Sequence, residues 1–177
     1  MLGSFPPPQA RWSMEYFYPN WINDMWRIWG LIFYNDKKIF ELKGEKRFDK
    51  DAIESFCKEK GVALYDTAKE VIRLKENASD KFLEIITPTD ITELLNSLPH
   101  CRAIVTTGEK ATDEIVKKFN CTKPAVGEMT EFTIGNRNIH FWRMPSTSRA
   151  YPLPLEKKAE AYMSMLQYEE MLTGDFR

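Results

Sequence analysis

Short apolar runs alternating with longer amphipathic ones constrain this chain most. Arg102-Ala103-Ile104-Val105-Thr106 reads as a strand closed by Thr107-Gly108, and residues 109–119 follow with a helical pattern. Val62-Ala63-Leu64-Tyr65 is another such run, read as a buried strand ending at Asp66-Thr67. Residues 132–144 read as two strands joined at Gly135-Asn136-Arg137-Asn138, a hairpin signal. Met1-Leu2 is a stub of strand ahead of Gly3-Ser4-Phe5-Pro6. A buried strand usually takes about five residues, so either the natural chain begins upstream or this first strand is unusually short.

Helices are predicted from Asn23-Asp24 through 25–33, and over 49–60 with Ile53, Phe56 and Cys57 on one side and Gly61 as its stop. Short helices are predicted over 69–75 and 80–86, and one opened by Thr87-Pro88-Thr89-Asp90 runs through Ser97. The last covers 155–172, with Tyr162, Met165 and Leu166 toward a core. Strands alternating with helices imply a parallel sheet covered on both faces. The expectation is an α/β fold: a three-layer α/β/α sandwich with a central, mostly parallel four-stranded sheet, in one domain over 1–177.

Composition narrows the function classes. With 43% hydrophobic residues, the chain has ample material for a core. The net charge of −1 argues against coating nucleic acid with a globally basic surface, so any polyanion site must be local. Cys57, Cys101 and Cys121 form no C-x-x-C pair and no set of four, which excludes zinc ribbons and four-cysteine iron–sulfur clusters within the chain. The odd count with no visible targeting segment points to a reducing, cytoplasmic setting. The longest apolar stretch, residues 26–34, is interrupted by Arg27 and Gly30 and is too short to span a bilayer. His100 and His140 read as incidental. The expectation is a monomer without metal, cofactor or membrane.

In parallel sheets ligands bind outside the carboxyl ends of the strands. Order alone therefore predicts that four segments converge: residues 3–9, Asp66-Thr67, residues 106–108 and residues 145–151. The last has two readings. Ser146, Thr147, Ser148, Arg149 and Tyr151 supply small hydroxyls and a charged fork that suit phosphate oxygens. Serine and threonine are equally at home as caps ahead of a helix. Residues 5–22 form a loop rich in rings, with Trp12, Tyr16, Phe17, Tyr18 and Trp21.

Five segments resemble, in order, the motifs of the uracil-DNA glycosylase superfamily, nearest its hypoxanthine-DNA glycosylase-like and mismatch-specific branches. Gly3-Ser4-Phe5-Pro6 is similar to the first-strand G-x-x-P loop. The aromatic loop with Pro19 and Asn23-Asp24-Met25-Trp26 is similar to the family's N-x-F-W ending. Gly61-Val62-Ala63-Leu64-Tyr65-Asp66, with Ala78-Ser79-Asp80 downstream, is the third match. Thr107-Gly108-Glu109-Lys110-Ala111 resembles N-G-x-K-A, and residues 144–151 resemble the P-S-S/T-S segment that contacts the DNA backbone. Phe5 stands where the mismatch-specific branch has a catalytic Asn and the uracil branch an Asp. Thr107 stands where many relatives have a base-reading Asn.

The resemblance implies a base excision repair enzyme: hydrolysis of the N-glycosidic bond of a deaminated base, uracil or hypoxanthine, flipped out of DNA. It implies that Asn23 places the water, as the asparagine of the hypoxanthine-type branch does; the alternative is that Asn23 only caps its helix. Gly3, Ser4, Phe5, Phe17, Tyr18, Asp66 and Thr107 would line the base pocket. Phe5 and one of Tyr16, Phe17 or Tyr18 would stack on the base, and Thr107 would bond its edge; otherwise the rings pack a core and Thr107 caps the helix from Glu109. Asp66 would orient the site or pair with Arg73. Ser146, Thr147, Ser148 and Arg149 would hold DNA phosphates, with Ala150 and Tyr151 near the duplex as a wedge. The competing readings are a non-catalytic nucleic-acid or nucleotide-binding relative and a nucleoside hydrolase.

Overall fold

The computed structural model of the chain describes residues 1–74 and 82–172. In chain order its elements are β1 (Leu2–Gly3), α1 (Met25–Tyr34), α2 (Lys50–Lys60), β2 (Tyr65–Asp66), β3 (Ala68–Arg73), β4 (Leu83–Pro88), α3 (Ile91–Ser97), β5 (Ala103–Thr107), α4 (Glu109–Phe119), β6 (Glu128–Ile134), β7 (Arg137–Met144) and α5 (Leu155–Tyr168). They form two compact units. The first joins Met1–Pro8 to Leu64–Met144, and the second joins Gln9–Ala63 to Pro145–Arg177.

The first unit carries a mostly parallel sheet in the order β2-β1-β5-β7-β6. The α/β class is as expected, but the sheet has five strands rather than four. Both strands of the expected hairpin belong to it: β6 runs antiparallel to β7 through the tight connection at Gly135, whose φ of +59° a glycine adopts without steric cost. Leu2, Ile104, Ile139 and Phe141 from the strands meet Ile91 and Leu95 of α3 and Ile115 of α4 in one buried cluster. The opposite side of the same strands is also buried, at Val105, Thr107, Trp142 and Met144. Such double burial explains why the Ala103-Ile104-Val105 part of β5 reads as a continuous apolar run rather than as an alternating one.

Three expectations need correction. Residues 69–75 and 80–86, read as short helices, contribute instead to the antiparallel pair β3 and β4, in which Val71 opposes Ile85; residues 75–81, with Ala78-Ser79-Asp80, lie outside the described residues. The charged residues gave a helical appearance, but Val71, Ile72, Ile85 and Ile86 are β-branched and favour a pleated surface. The strand read over 62–65 is only Tyr65–Asp66, because the Val62 N–H is spent on the Cys57 carbonyl at 2.8 Å. Gly61, at φ +66°, closes α2 in this way and carries Val62 with it. The last helix stops at Tyr168 rather than Leu172, since Glu170 turns left-handed (φ +57°) and the Met171 N–H reaches back to the Leu166 carbonyl at 2.9 Å.

The second unit is helical and aromatic. In α1, every residue from Met25 to Gly30 is buried. Trp29 stacks on Phe33 at 5.6 Å and meets the edge of Phe56 from α2 at 5.5 Å. Phe40 also packs on Trp26 and Phe56, at 6.3 and 5.2 Å. Asp49 caps α2 by accepting the Ala52 N–H, and α5 lies against α1 with Tyr162, Met165 and Leu166 buried. No helix among the described residues is long and apolar enough to cross a membrane.

Candidate functional site

The sequence-predicted residues fall into two groups, one in each unit. In the first unit, Gly3 pairs with Asp66 and Leu2 with Thr106, so three of the four predicted loop segments come together at the carboxyl ends of β1, β2 and β5. The loop is held by backbone groups. The Gly3 carbonyl accepts the Thr67 N–H at 2.9 Å, and the Ser4 carbonyl accepts the Ala68 N–H at 3.2 Å. The Asp66 carbonyl accepts the Thr89 hydroxyl at 2.7 Å. Ser4 and Thr107 are buried, whereas Phe5 and Asp66 are half-buried.

Phe5 lies under the Arg73 guanidinium, 5.9 Å from ring centroid to carbon, and Arg73 also donates to the Pro6 carbonyl. This cation–π contact holds the Phe5 ring in place. Thr107 does not cap the following helix. The cap is Gly108, whose φ of +131° suits glycine, and the cap makes no side-chain bond. The Thr112 hydroxyl lies 2.7 Å from the Gly108 carbonyl and 2.8 Å from the Thr106 hydroxyl instead.

The second unit brings Asn23 and the 145–151 segment together. The two strands of chain form a small antiparallel bridge at Asn23 and Ser148, and the Asp24 N–H donates to the Thr147 carbonyl at 2.8 Å. The Asn23 side-chain Oδ1 accepts the Met25 N–H at 2.9 Å, and its carbonyl accepts Arg27 Nη1 at 3.0 Å. Its Nδ2 donors have no partner among the described residues. The carboxamide is thus oriented by its own helix start while part of its bonding capacity is unspent.

A buried ion cluster underlies this bridge. Asp24 Oδ2 accepts Lys158 Nζ at 3.1 Å and Asp24 Oδ1 accepts Arg149 Nε at 2.9 Å. Lys158 also donates to the Ser148 carbonyl at 2.9 Å, and the buried Tyr162 hydroxyl donates to the Pro145 carbonyl at 3.1 Å. Burial holds the Tyr162 phenol well above its ordinary pKa, with Tyr18 adding to the shift. Arg27 donates to the Trp21 carbonyl at 2.8 Å and pairs with Glu41 at 2.7 Å beneath the Trp21 ring. Burial pulls its pKa below the ordinary value, against the opposing pull of Glu41.

Within the segment, the Ser146 and Ser148 hydroxyls accept the Ser148 and Ala150 N–H groups at 3.3 and 3.2 Å, so the capping reading describes part of their work. Both hydroxyls keep a proton to donate. Thr147 is 2% exposed, while Arg149 is exposed and Ser146, Ser148 and Tyr151 are half-buried. Phe17 and Tyr18 are half-buried too. The Phe17 carbonyl accepts Trp26 Nε1 at 3.2 Å, and Tyr18 holds a left-handed φ of +50° with its ring 6.4 Å from that of Trp26.

Sequence reasoning missed Asp24, Arg27, Glu41 and Lys158. One signal was available: Lys158 shares the apolar stripe of Tyr162, Met165 and Leu166, where a charge needs a buried partner. No group of three or more His, Cys, Asp or Glu that could hold a metal is found among the described residues. No family model, curated protein or solved structure matches the chain.

Proposed function

We propose that the chain is a monofunctional DNA glycosylase that hydrolyses the N-glycosidic bond of a deaminated base, uracil or hypoxanthine, extruded from DNA. The observation that carries the reading is the bridge between Asn23 and Ser148. It joins the residue that would place the water to the segment that would grip the phosphates, which lie far apart in sequence.

In this reading the bond breaks toward an oxocarbenium-like sugar and an anionic base. An amide is too weak a base to take a proton fully. Asn23 would therefore orient the water near C1′ through the bonding capacity that Met25 leaves free. Phosphate contacts from Ser146, Ser148 and Arg149 would position the backbone without reading sequence.

The test is base release from oligonucleotides containing uracil, hypoxanthine, xanthine or a thymine mismatch. Wild-type protein releases at least one of these bases. Asn23→Ala slows release by about 10²-fold or more, while losing its turn bond costs only about 1 kcal/mol of stability. Wild-type turnover in that variant would remove Asn23 from the chemistry. The Asn23–Met25 bond equally suits a non-catalytic nucleic-acid-binding relative, for which the panel gives binding without release. Release from free nucleosides alone would mark a nucleoside hydrolase.

A further inference from the structure

The second unit contains an open groove of about 560 Å³, over which Trp21 and the start of α5 form apolar walls. Its charged lining is unbalanced. Arg27, Lys37, Lys38, Arg149 and Lys158 face it, against only Asp24 and Glu41. A local charge of +3, that is five minus two, thus sits on a chain whose net charge is −1.

The excess is concentrated. Arg27 is matched by Glu41, and Lys158 and Arg149 Nε by Asp24. The Nη groups of Arg149 and the ammonium groups of Lys37 and Lys38 have no partner among the described residues. Nor are the two lysines on a loose tail. Asn35 turns left-handed at φ +52°, the Asp36 N–H returns to the Gly30 carbonyl at 3.2 Å, and Asp36 Oδ1 accepts the Lys38 N–H at 2.8 Å. The turn lies so close to α1 that a Cβ on Gly30 would meet the Asp36 carbonyl oxygen at 2.5 Å. Glycine at position 30 is what lets this lysine pair be presented at the groove.

We propose that the groove is a phosphate site, in which Lys37, Lys38 and the open fork of Arg149 hold a phosphate or phosphodiester group. A planar fork and two flexible ammonium groups match the oxygens of such an anion. The site shares Arg149 with the glycosylase reading and in that respect rests on it, but it needs a phosphate and no cleavable base, so phosphate binding without base release would leave it standing.

The experiment measures binding of an undamaged fluorescent oligonucleotide, with and without inorganic phosphate as competitor, across a range of salt. Wild type is compared with Lys37→Glu/Lys38→Glu and with Lys43→Glu/Lys46→Glu, an equal charge change at exposed lysines outside the groove lining. The groove variant binds at least tenfold more weakly, and its log affinity against log salt flattens by about 1.4 or more, at roughly 0.7–0.9 per lost phosphate contact. The control stays within about twofold of wild type, and Lys37→Gln/Lys38→Gln shows the flattened slope without added repulsion. Competition by phosphate marks a site for an isolated phosphate group; its absence marks a track for the nucleic-acid backbone. Equal losses in groove and control variants, no loss in either, or no binding by wild type would overturn the proposal.

Discussion

The loop after β1 and the loop after β7 do the same structural work by different means. In the first unit, Gly3 and Ser4 give their carbonyls to backbone N–H groups of Thr67 and Ala68. In the second, the Pro145 and Ser148 carbonyls go to the Tyr162 hydroxyl and the Lys158 ammonium, and that ammonium is itself held by Asp24. Backbone ladders tolerate most side-chain changes, because no side chain carries them. A loop hung on a buried lysine and a phenol can be released by one substitution. The difference separates a scaffold that sequence drift leaves intact from one that a single residue governs.

The comparison can be broken most sharply at Lys158. Lys158→Ala leaves Asp24 buried with only Arg149, and removing one partner of such a pair costs about 3–5 kcal/mol. Denaturant unfolding measures it, with Asp24→Asn/Lys158→Met as the companion that restores most of the loss. A cost below about 1 kcal/mol would place this pair with ordinary surface ion pairs. In the first unit, Thr112→Val removes a hydroxyl that serves both Gly108 and Thr106, and the expected cost is about 1 kcal/mol. A larger loss there than at Lys158 would reverse the contrast.

A third effect appears only in alkali and belongs to the second unit. Burial pushes the Cys57 thiol from 9.0 to about 11, and the Tyr162 phenol is raised as well. Folding therefore holds protons that the unfolded chain releases. The stability contributed by Cys57 is complete below pH 9 and is lost as pH rises from 9 toward 11. Unfolding midpoints measured between pH 8 and pH 11 should fall across that window, and Cys57→Ala should flatten the fall.

Much of the fold was legible because its strongest elements are locally self-consistent. Residues 109–119 and 50–60 carry helix signals at both ends, and Asp49 and Gly61 cap α2 as their residue types require. The β3–β4 pair was illegible because its stability lies in cross-strand pairs such as Val71 with Ile85, which no single window contains. The candidate site divided in the same way. Asn23 and the 145–151 segment stood out by residue type. Asp24 did not, since it looks like an ordinary helix-start carboxylate, and the stripe position of Lys158 signals a buried charge without naming its partner.

The pairing of Asp24 with Lys158 also sets an order of events during synthesis. They are 134 residues apart, and all of Leu64–Met144 is translated between them. At about 5–20 residues per second, the carboxylate waits on the order of ten seconds for its counter-ion. Throughout that interval α1 cannot bury Asp24 without stranding a charge, so its N-terminal turn must stay hydrated. The aromatic helix pair can assemble early, but the loop that carries Asn23 takes its final form only when α5 leaves the ribosome.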